Sequence, residues 1–492
     1  MRRARSRFVG GWLCLILGVS VPALPGGFLA RRAAAGLSDA KRQVSETVDA
    51  RADATVAVAE LLWRYAELGY QEKRSSSRLQ IELRDAGFSV LAGVADMPTA
   101  FVATAGSGEP VIGILAEYDA LPGLSQEALP RREARVPGGA GHACGHHLFG
   151  AASVAAAVAV KQWMDSEGVG GTLRVYGTPA EEGGAGKAYM ARAGLFADVD
   201  AVLHWHPRDR NEVTLSATLA NKSAKFRFRG ESAHASAAPE RGRSALDGVE
   251  AMTFMVNLLR EHVPQETRIH YVVTRGGDAP NIVPENAEVF LYARHPDARI
   301  LAKIWQRIVD ASTAAALGTG TRVSHEVIHG SHSVLANRAI SARLQANLEA
   351  LGGVAWSAAD RAFAEELYPT LRDPDLALGS EKEIQPTREA LAMASTDVGD
   401  VSWNTPTAGF SAASWVPGTP SHSWQAVAAG GTPIGWKGMQ LAAKTLAMTA
   451  VDLFGDASLR AAATREFEAA LGDDFVYESL VGDRAPPLDY RH

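Results

Sequence analysis

The sequence predicts a two-domain α/β protein in which the second domain is inserted into the first. At 492 residues the chain is too long for one ordinary domain. Up to about residue 214, β-branched runs alternate with helical patterns, which is typical of an α/β domain with a mainly parallel sheet. Residues 215–333 then follow the order β-α-β-β-α-β, which indicates a ferredoxin-like α+β domain.

The first part of the α/β domain is predicted over residues 36–214. Helical spacing runs from about residue 53 to residue 87 and is broken at "GYQEKRSS". The segment "PVIGILAEYDALPG" resembles a buried strand ending in a turn, and "LFGAASVAAAVAVKQWM" resembles a small-residue helix. Two further strands, in "GTLRVYGTPAEEGG" and "VDAVLHWHP", end in polar residues. Since sites in such sheets gather where strands end, we expect the functional site there.

The inserted domain is predicted over residues 215–333, with helices in "RSALDGVEAMTFMVNLLREH" and "ILAKIWQRIVDASTAAALG". Four alternating segments supply its strands. Residues 334–492 return to helical and loop patterns and are expected to complete the α/β domain, with an irregular excursion over residues 368–391.

The N-terminal residues 1–35 have the pattern of a secretory signal peptide. "MRRARSRF" carries four arginines, residues 9–30 carry no charge, and small residues follow in "ARRAAAG". This predicts export to the periplasm or beyond. The alternative is an uncleaved membrane anchor, because the apolar run is long enough to span a bilayer. Cleavage would remove Cys14 and leave Cys144 as the remaining cysteine, so the fold would not depend on a disulfide.

Composition excludes some function classes. Hydrophobic residues at 47% and charged residues at 21% fit a globular protein with a full-sized core. The net charge of -6 gives no electrostatic basis for binding nucleic acid, so no nucleic-acid partner is expected.

Polar side chains cluster at the predicted strand ends and in one segment near the C-terminus. They are Glu117 with Asp119, Cys144 with His146, Glu181 with Glu182, His204 with His206, and His422. Thiolate, imidazole and carboxylate groups are the ligands that zinc and related divalent ions prefer. Because unpaired charges beside a core are costly, the clusters together predict a metal site. Of two adjacent glutamates, one can bind metal while the other acts as a base.

Several motifs together resemble the M20 metallopeptidase and amidohydrolase family. They include "AEYDALPG", "GHACGHHLFGAA", "GTPAEEGGAGK", "AVLHWHP", "GESAHASAAPERGRSALDGVEAM", "GGDAPNIVPENAEVFLYARHPD" and "GTPSHSWQ". The resemblance covers about residues 53–454 and points to the branch that acts on N-acyl amino acids and aminobenzoyl-glutamate. It implies a zinc-peptidase-like catalytic domain whose inserted domain serves as lid and dimerisation domain.

The resemblance also implies a site with two divalent metal ions, zinc or manganese, with cobalt as a further candidate. The implied ligands are Cys144, which would bridge the two ions, His146, Glu182, His206 and His422. His206 precedes a proline at the matching strand end, but His204 remains an alternative ligand.

The remaining implied roles concern catalysis and substrate binding. Glu181 would be the general base, and Asp119 would orient a metal ligand. His234 would reach a partner subunit's site and polarise the scissile carbonyl. Asn281 and Arg294 would hold the backbone or the carboxylate of the substrate.

The implied function is a metal-dependent amidohydrolase that cleaves an N-acyl amino acid, aminobenzoyl-glutamate or a related dipeptide, as a homodimer or with a second hydrolase subunit. One alternative is a noncatalytic or partner-dependent subunit, although such a subunit has no need of the base Glu181. Another is a cysteine-dependent amidase built on Cys144, but His142 and His146 lie two residues away on a turn and are expected to splay from it.

Overall fold

The computed structural model describes residues 37–491. The predicted signal peptide and Cys14 lie outside these residues. The described chain forms two sheets, of seven and four strands, and each sheet packs in its own large hydrophobic core. The two-domain α/β fold class is therefore confirmed. Among residues 37–491, no helix combines the length and the apolar character needed to cross a membrane.

The seven-stranded sheet is parallel at its centre and antiparallel at its edges. Its strands are β1 (Ser89–Ala92), β2 (Phe101–Ser107), β3 (Val111–Ala116), β4 (Gly171–Gly177), β5 (Ala201–Arg208), β6 (Glu212–Val213) and β11 (Thr407–Ala413). The order is β1-β2-β4-β3-β5-β11-β6. The pairs β4–β3, β3–β5 and β5–β11 are parallel, whereas β1–β2, β2–β4 and β11–β6 are antiparallel. The expected mainly parallel sheet therefore describes only the centre of the sheet. At one edge, the short connection between β1 and β2 leaves no room for the crossover that parallel strands need. The expectation of only helical and loop segments over residues 334–492 is wrong, because strand β11 lies there and pairs in parallel with β5.

Helices cover the seven-stranded sheet. They are α1 (Asp39–Ala50), α2 (Ala52–Tyr65), α3 (Lys73–Asp85), α4 (His146–Glu167), α5 (Gly186–Arg192), α8 (Arg338–Leu351), α9 (Ala358–Leu367), α10 (Val398–Ser402), α11 (Trp424–Gly430), α12 (Pro433–Gly455) and α13 (Ala457–Leu471). Helix α4 packs against α1, α2, α12 and strand β3. It is buried on all sides over residues 146–160, because its alanines and glycine let several elements approach closely.

The inserted domain has the predicted order β-α-β-β-α-β. Its elements are β7 (Ala220–Arg229), α6 (Ala245–Leu259), β8 (Arg268–Arg275), β9 (Asn286–His295), α7 (Ala298–Thr319) and β10 (Arg322–Ser331). The strands form an antiparallel sheet in the order β10-β7-β9-β8. Burial alternates along β9, where Val289 and Leu291 face the core, and this is the period expected of a sheet covered on one face.

Two segments lie outside these elements. The excursion predicted over residues 368–391 contains only two short 3₁₀ turns, at Tyr368–Thr370 and Ser380–Lys382, and is irregular as expected. Residues 472–491, here called the C-terminal tail, contain neither helix nor strand. The tail nevertheless packs against both domains.

Candidate metal centre

The carboxyl ends of the central parallel strands bring the polar clusters together. Glu117 directly follows β3, Glu181 follows β4 by four residues, and His206 lies near the end of β5. Helix α4 begins at His146, two residues after Cys144. The convergence at one sheet edge is that expected of ligand sites in α/β sheets.

Two glycines allow these segments to approach each other. Gly145, with φ of 78°, lies in the left-handed region, and a Cβ there would come within 2.6 Å of Pro207. A Cβ at Gly150 would lie 2.8 Å from the backbone oxygen of Glu117. The glycines of "GHACGHHLFG" therefore let the segment that carries Cys144 lie against the ends of β3 and β5.

The candidate ligands form three overlapping groups. In each group, ligand atoms lie within 4.8 Å of one another; the groups are Cys144 with His146 and His206, Cys144 with Glu182 and His422, and Glu117 with His146 and Glu181. The Sγ of Cys144 lies 3.6 Å from Nε2 of His206. Nε2 of His422 lies 3.0 Å from Oε1 of Glu182. Cys144 and His146 each belong to two of the groups, so the three groups overlap at these two residues.

Unsatisfied buried atoms show that these residues fit a cation. Among residues 37–491, Nε2 of His146, Oε1 of Glu182 and Oε2 of Glu117 have no hydrogen-bond partner. His146 Nε2 lies 3.0 Å from Glu117 Oε2, but the two atoms are not aligned for a hydrogen bond. Leaving such atoms unpaired is costly, and a bound divalent ion would satisfy them.

Asp119 occupies the orienting position that the resemblance implies. Its Oδ1 lies 2.8 Å from Nδ1 of His146, which leaves Nε2 free to face the cluster. Its Oδ2 accepts a hydrogen bond of 2.9 Å from the backbone N–H of Glu182. One buried carboxylate thus fixes two candidate ligands, as in carboxylate–histidine–metal arrangements.

The electrostatics of the site differs between the candidate ligands. Although burial lowers it, the charges of Asp119 and Glu117 raise the pKa of His146 well above its usual value, and a bound cation would oppose that shift.

Burial lowers the pKa of His206 well below its ordinary value, and nearby Arg208 lowers it further, so the imidazole is neutral, as a metal ligand must be. Burial also raises the pKa of the Cys144 thiol, with Glu182 adding to the effect. A divalent cation would oppose that shift and favour the thiolate. Burial, followed by the charge of Glu182, raises the pKa of Glu181 well above its usual range.

A buried lysine, Lys187, lies beside the cluster and was not predicted from the sequence. Nζ of Lys187 lies 2.7 Å from Oε1 of Glu117 and 2.7 Å from Oδ1 of Asp397. The side chain is fully buried, and the backbone N–H of Lys187 donates to Asp397 Oδ2 at 2.9 Å. Glu117, which was noted in a cluster but not predicted as a ligand, belongs to the group containing Glu181. In the sequence, Lys187 is the single charged residue of the small-residue and apolar segment "GGAGKAYM", and this was the signal that could have pointed to it.

The structure separates the two histidines of β5. His206 lies beside Cys144, whereas His204 belongs to none of the three groups found in residues 37–491. The His204 ring instead packs against Gly409 of the neighbouring strand β11, where any side chain would collide with it. Burial lowers the pKa of His204 to about 4.

Comparison with known proteins identifies the family. Residues 113–425 match peptidase family M20/M25/M40. The chain belongs to peptidase family M20. It is 41% identical over 446 residues to the B subunit of p-aminobenzoyl-glutamate hydrolase from Escherichia coli (strain K12), covering 85% of this chain and 92% of that protein. It is 30% identical over 472 residues to the Xaa-Arg dipeptidase of Mus musculus, covering 93% and 97%.

A solved structure shares the fold. The Bacillus subtilis YXEP protein, described as a dinuclear metal binding peptidase from the M20 family, matches with a TM-score of 0.57 at 17% identity. The match covers 82% of this chain and 98% of that one. The predicted family, fold class and enzyme class are confirmed: the protein is an M20 hydrolase.

The cluster of this M20 chain lines a cavity of about 400 Å³. Apart from the metal-centre groups and His204, the walls are mostly small, hydroxyl-bearing or apolar. They include Phe149, Thr214, Ser216, Thr218, Val334, Ala336, Ala394, Thr396, Val398, Phe410 and Ser411, with Arg208 as a cationic group. A cavity of this size can hold a small ligand.

The three predicted residues of the inserted domain do not line this cavity. His234 and Asn281 are exposed and lie on paired segments, since Ala235 N–H donates to the backbone oxygen of Asn281 at 3.0 Å. Arg294 lies half-buried on β9, with its guanidinium 5.7 Å from the ring centre of Tyr292. Within the part of the chain that the structure describes, these residues are therefore not brought to the metal centre.

Proposed function

We propose that this M20 hydrolase uses two divalent metal ions, zinc or manganese, to cleave the amide bond between an acyl group and an amino acid bearing a free carboxylate. The observation that supports this is the set of three overlapping ligand groups, two of which share Cys144, while Glu181 lies in the third beside His146. Candidate substrates are N-acyl amino acids, aminobenzoyl-glutamate and related dipeptides. The names of the bacterial and mouse relatives support this substrate class.

Each candidate ligand has a role in this proposal. Cys144 would be shared between the ions, with His146, His206, Glu182 and His422 completing the two ligand sets. Asp119 keeps the proton on Nδ1 of His146, so that Nε2 offers its lone pair to the metal. The bound metals would supply a water of lowered pKa and polarise the substrate carbonyl.

Glu181 is the proposed proton carrier. Its carboxylate would accept the proton of the attacking water and later deliver it to the leaving amine nitrogen. Burial raises the pKa of this group, which favours holding the proton between the two steps. The acyl group would occupy the cavity between Phe149 and Phe410.

The inserted domain would act on a second copy of the chain. His234, Asn281 and Arg294 do not line the cavity of their own chain. The role implied for His234 would place it at the site of a second copy in a homodimer, and Asn281 and Arg294 would hold the substrate from the inserted domain. The Escherichia coli relative is named as one subunit of its hydrolase, which supports a second type of hydrolase subunit as a further partner. Residues 1–35 would direct the protein out of the cytoplasm.

The test uses the protein from residue 36, loaded separately with manganese and zinc and offered a panel of aminobenzoyl-glutamate, N-acyl amino acids and dipeptides. Release of free amino acid is followed for the wild type and for Glu181→Gln. We expect the variant to retain its metal and to lose about 10²–10⁴-fold in kcat, as removal of a general base does. Glu365→Gln, a change at an exposed glutamate of α9, is the matched control and should have wild-type activity.

Retention of more than a tenth of the activity in Glu181→Gln would refute the assignment of the base. A metal-loaded wild type that hydrolyses nothing in the panel would favour the alternative of a partner-dependent subunit. A wild type that binds neither metal would refute the proposed centre.

A further inference from the structure

The turn that carries Glu181 and Glu182 has an unfavourable backbone conformation. Ala180 and Ala185, with φ of 56° and 58°, both lie in the left-handed region, as does Gly183 with φ of 92°. This region is disfavoured for residues that carry a Cβ. Such a conformation persists only where surrounding contacts hold it.

Contacts from within the α/β domain hold three points of the turn. The backbone N–H of Ala180 donates to Oε1 of Glu72 at 2.8 Å, and the hydroxyl of Tyr70 donates to the backbone oxygen of Gly184 at 2.8 Å. The N–H of Glu182 donates to Asp119. These contacts do not engage the backbone oxygen of Glu182, which lies between the held points.

The C-terminal tail binds that oxygen. The hydroxyl of Tyr490 donates to the backbone oxygen of Glu182 at 3.0 Å, and Nη2 of Arg491 donates to the same atom at 2.5 Å. The ring of Tyr490 packs edge-on against Tyr70, with ring centres 5.7 Å apart. Tyr70 in turn donates to the backbone oxygen of Gly184. The tail therefore contacts the turn directly at Glu182 and also packs against the side chain that holds it at Gly184.

Further hydrogen bonds anchor the tail before it reaches the turn. Nη1 of Arg484 donates to the backbone oxygen of Ile328 on β10, and Nη1 of Arg192 donates to the backbone oxygen of Arg484, at 2.7 and 2.8 Å. Closer to the turn, Nε2 of Gln71 donates to the backbone oxygen of Leu488 at 2.9 Å. The approach of Tyr490 is therefore fixed by contacts with both domains.

We propose that Tyr490 and Arg491 are positioning residues for the metal centre, an inference that rests on the proposed function. They hold the carbonyl of Glu182 while Asp119 holds its N–H, so both peptide groups that flank this residue are fixed. That fixes the direction of its Cα–Cβ bond and keeps its carboxylate next to His422. The same restraint sets the direction of the neighbouring base, Glu181. The two tail residues act through Glu182.

The test compares Tyr490→Phe, Arg491→Lys and the double variant Tyr490→Phe/Arg491→Ala. The phenylalanine keeps the ring on Tyr70 and removes only the hydroxyl, while the lysine keeps one donor within reach of the oxygen. Asp489→Ala, at an exposed neighbour in the tail, is the control. The readouts are the dissociation constants for zinc and manganese, measured by competition with a chelator, and kcat and KM on a substrate from the panel.

We expect the double variant to bind metal about 10-fold more weakly and to lose about 10-fold or more in kcat, because loss of outer partners of metal ligands typically costs 10–100-fold. KM should change by less than about 2-fold, since neither residue is proposed to touch substrate. Arg491→Lys, which keeps Tyr490 and a cationic donor, should retain most of the metal affinity and most of kcat. A purely structural anchor would lower the melting temperature without this split between kcat and KM.

A folded double variant with wild-type metal affinity would overturn the proposal. If the double variant does not fold, wild-type metal affinity in both single variants, Tyr490→Phe and Arg491→Ala, has the same meaning, because each removes one of the two donors to the Glu182 oxygen. Metal affinity can be measured without a substrate, so an inactive wild type would refute the proposed function while the tail is still tested.

Discussion

Replacement of Lys187 by methionine should strongly destabilise the protein. The fully buried ammonium lies 2.7 Å from each of two carboxylates, on Glu117 and Asp397. Methionine has a similar length but leaves both carboxylates buried without a cation. Removal of one member of a buried ion pair typically costs about 3–5 kcal/mol, so we expect the free energy of unfolding to fall by about that amount at pH 7.5.

The loss should depend on pH in a defined direction. Burial raises the pKa of Asp397 to about 7, even though the charge of Lys187 lowers it. Without Lys187 this pKa rises further, so the folded variant binds more protons than the unfolded chain above pH 4. The contribution of Asp397 protonation to the stability of the variant is therefore complete at low pH and declines as the pH rises towards the folded pKa of Asp397. The difference in the free energy of unfolding between Lys187→Met and the wild type should be smaller at pH 5.5 than at pH 7.5.

The measurement is denaturant unfolding of the metal-free protein at both pH values. Lys303→Met, at an exposed position of α7, is the control and should lie within about 0.5 kcal/mol of wild type. Adding Asp397→Asn to Lys187→Met should recover part of the loss, because one of the unpaired charges is removed. A Lys187→Met protein within about 1 kcal/mol of wild type at pH 7.5 would show that the buried ammonium is not needed to balance these carboxylates.

Three further predictions concern metal binding and pH. Saturating zinc or manganese at 100 times the dissociation constant should stabilise the wild type by about 2.7 kcal/mol, seen as a rise in melting temperature that Cys144→Ala largely abolishes. His206→Ala should lose bound metal in elemental analysis while His204→Ala keeps it, because only His206 lies beside Cys144; the opposite result would exchange their roles. Burial lowers the pKa of His329 on β10 to about 4, so the unfolded chain binds more protons between pH 4 and about 6.5. Its contribution of about 3 kcal/mol should be complete above pH 6.5 and decline as the pH falls, and unfolding curves of His329→Asn should show a weaker acid dependence than wild type.

The sequence by itself predicted the order of elements in the inserted domain and the chemistry of the site, but not the strands β1, β2 and β11 of the seven-stranded sheet. The small residues of α4 predicted a helix able to pack tightly on a sheet, and the β-α-β-β-α-β order of the inserted domain follows from alternation and helical spacing. The metal-binding chemistry could be predicted because thiol, imidazole and carboxylate groups stood at the ends of predicted strands. These features depend on local patterns, which a single chain displays directly.

Only the tertiary structure decided which of these groups meet. His204 and His206 have similar sequence surroundings and both line the cavity, but His204 lies beside Gly409 and only His206 lies beside Cys144. Lys187 and Asp397 are 210 residues apart in the sequence and form one buried ion pair. The tail reaches Glu182 across 308 residues. Contacts over such separations depend on how strands and loops pack in three dimensions, and no periodicity or local motif records them.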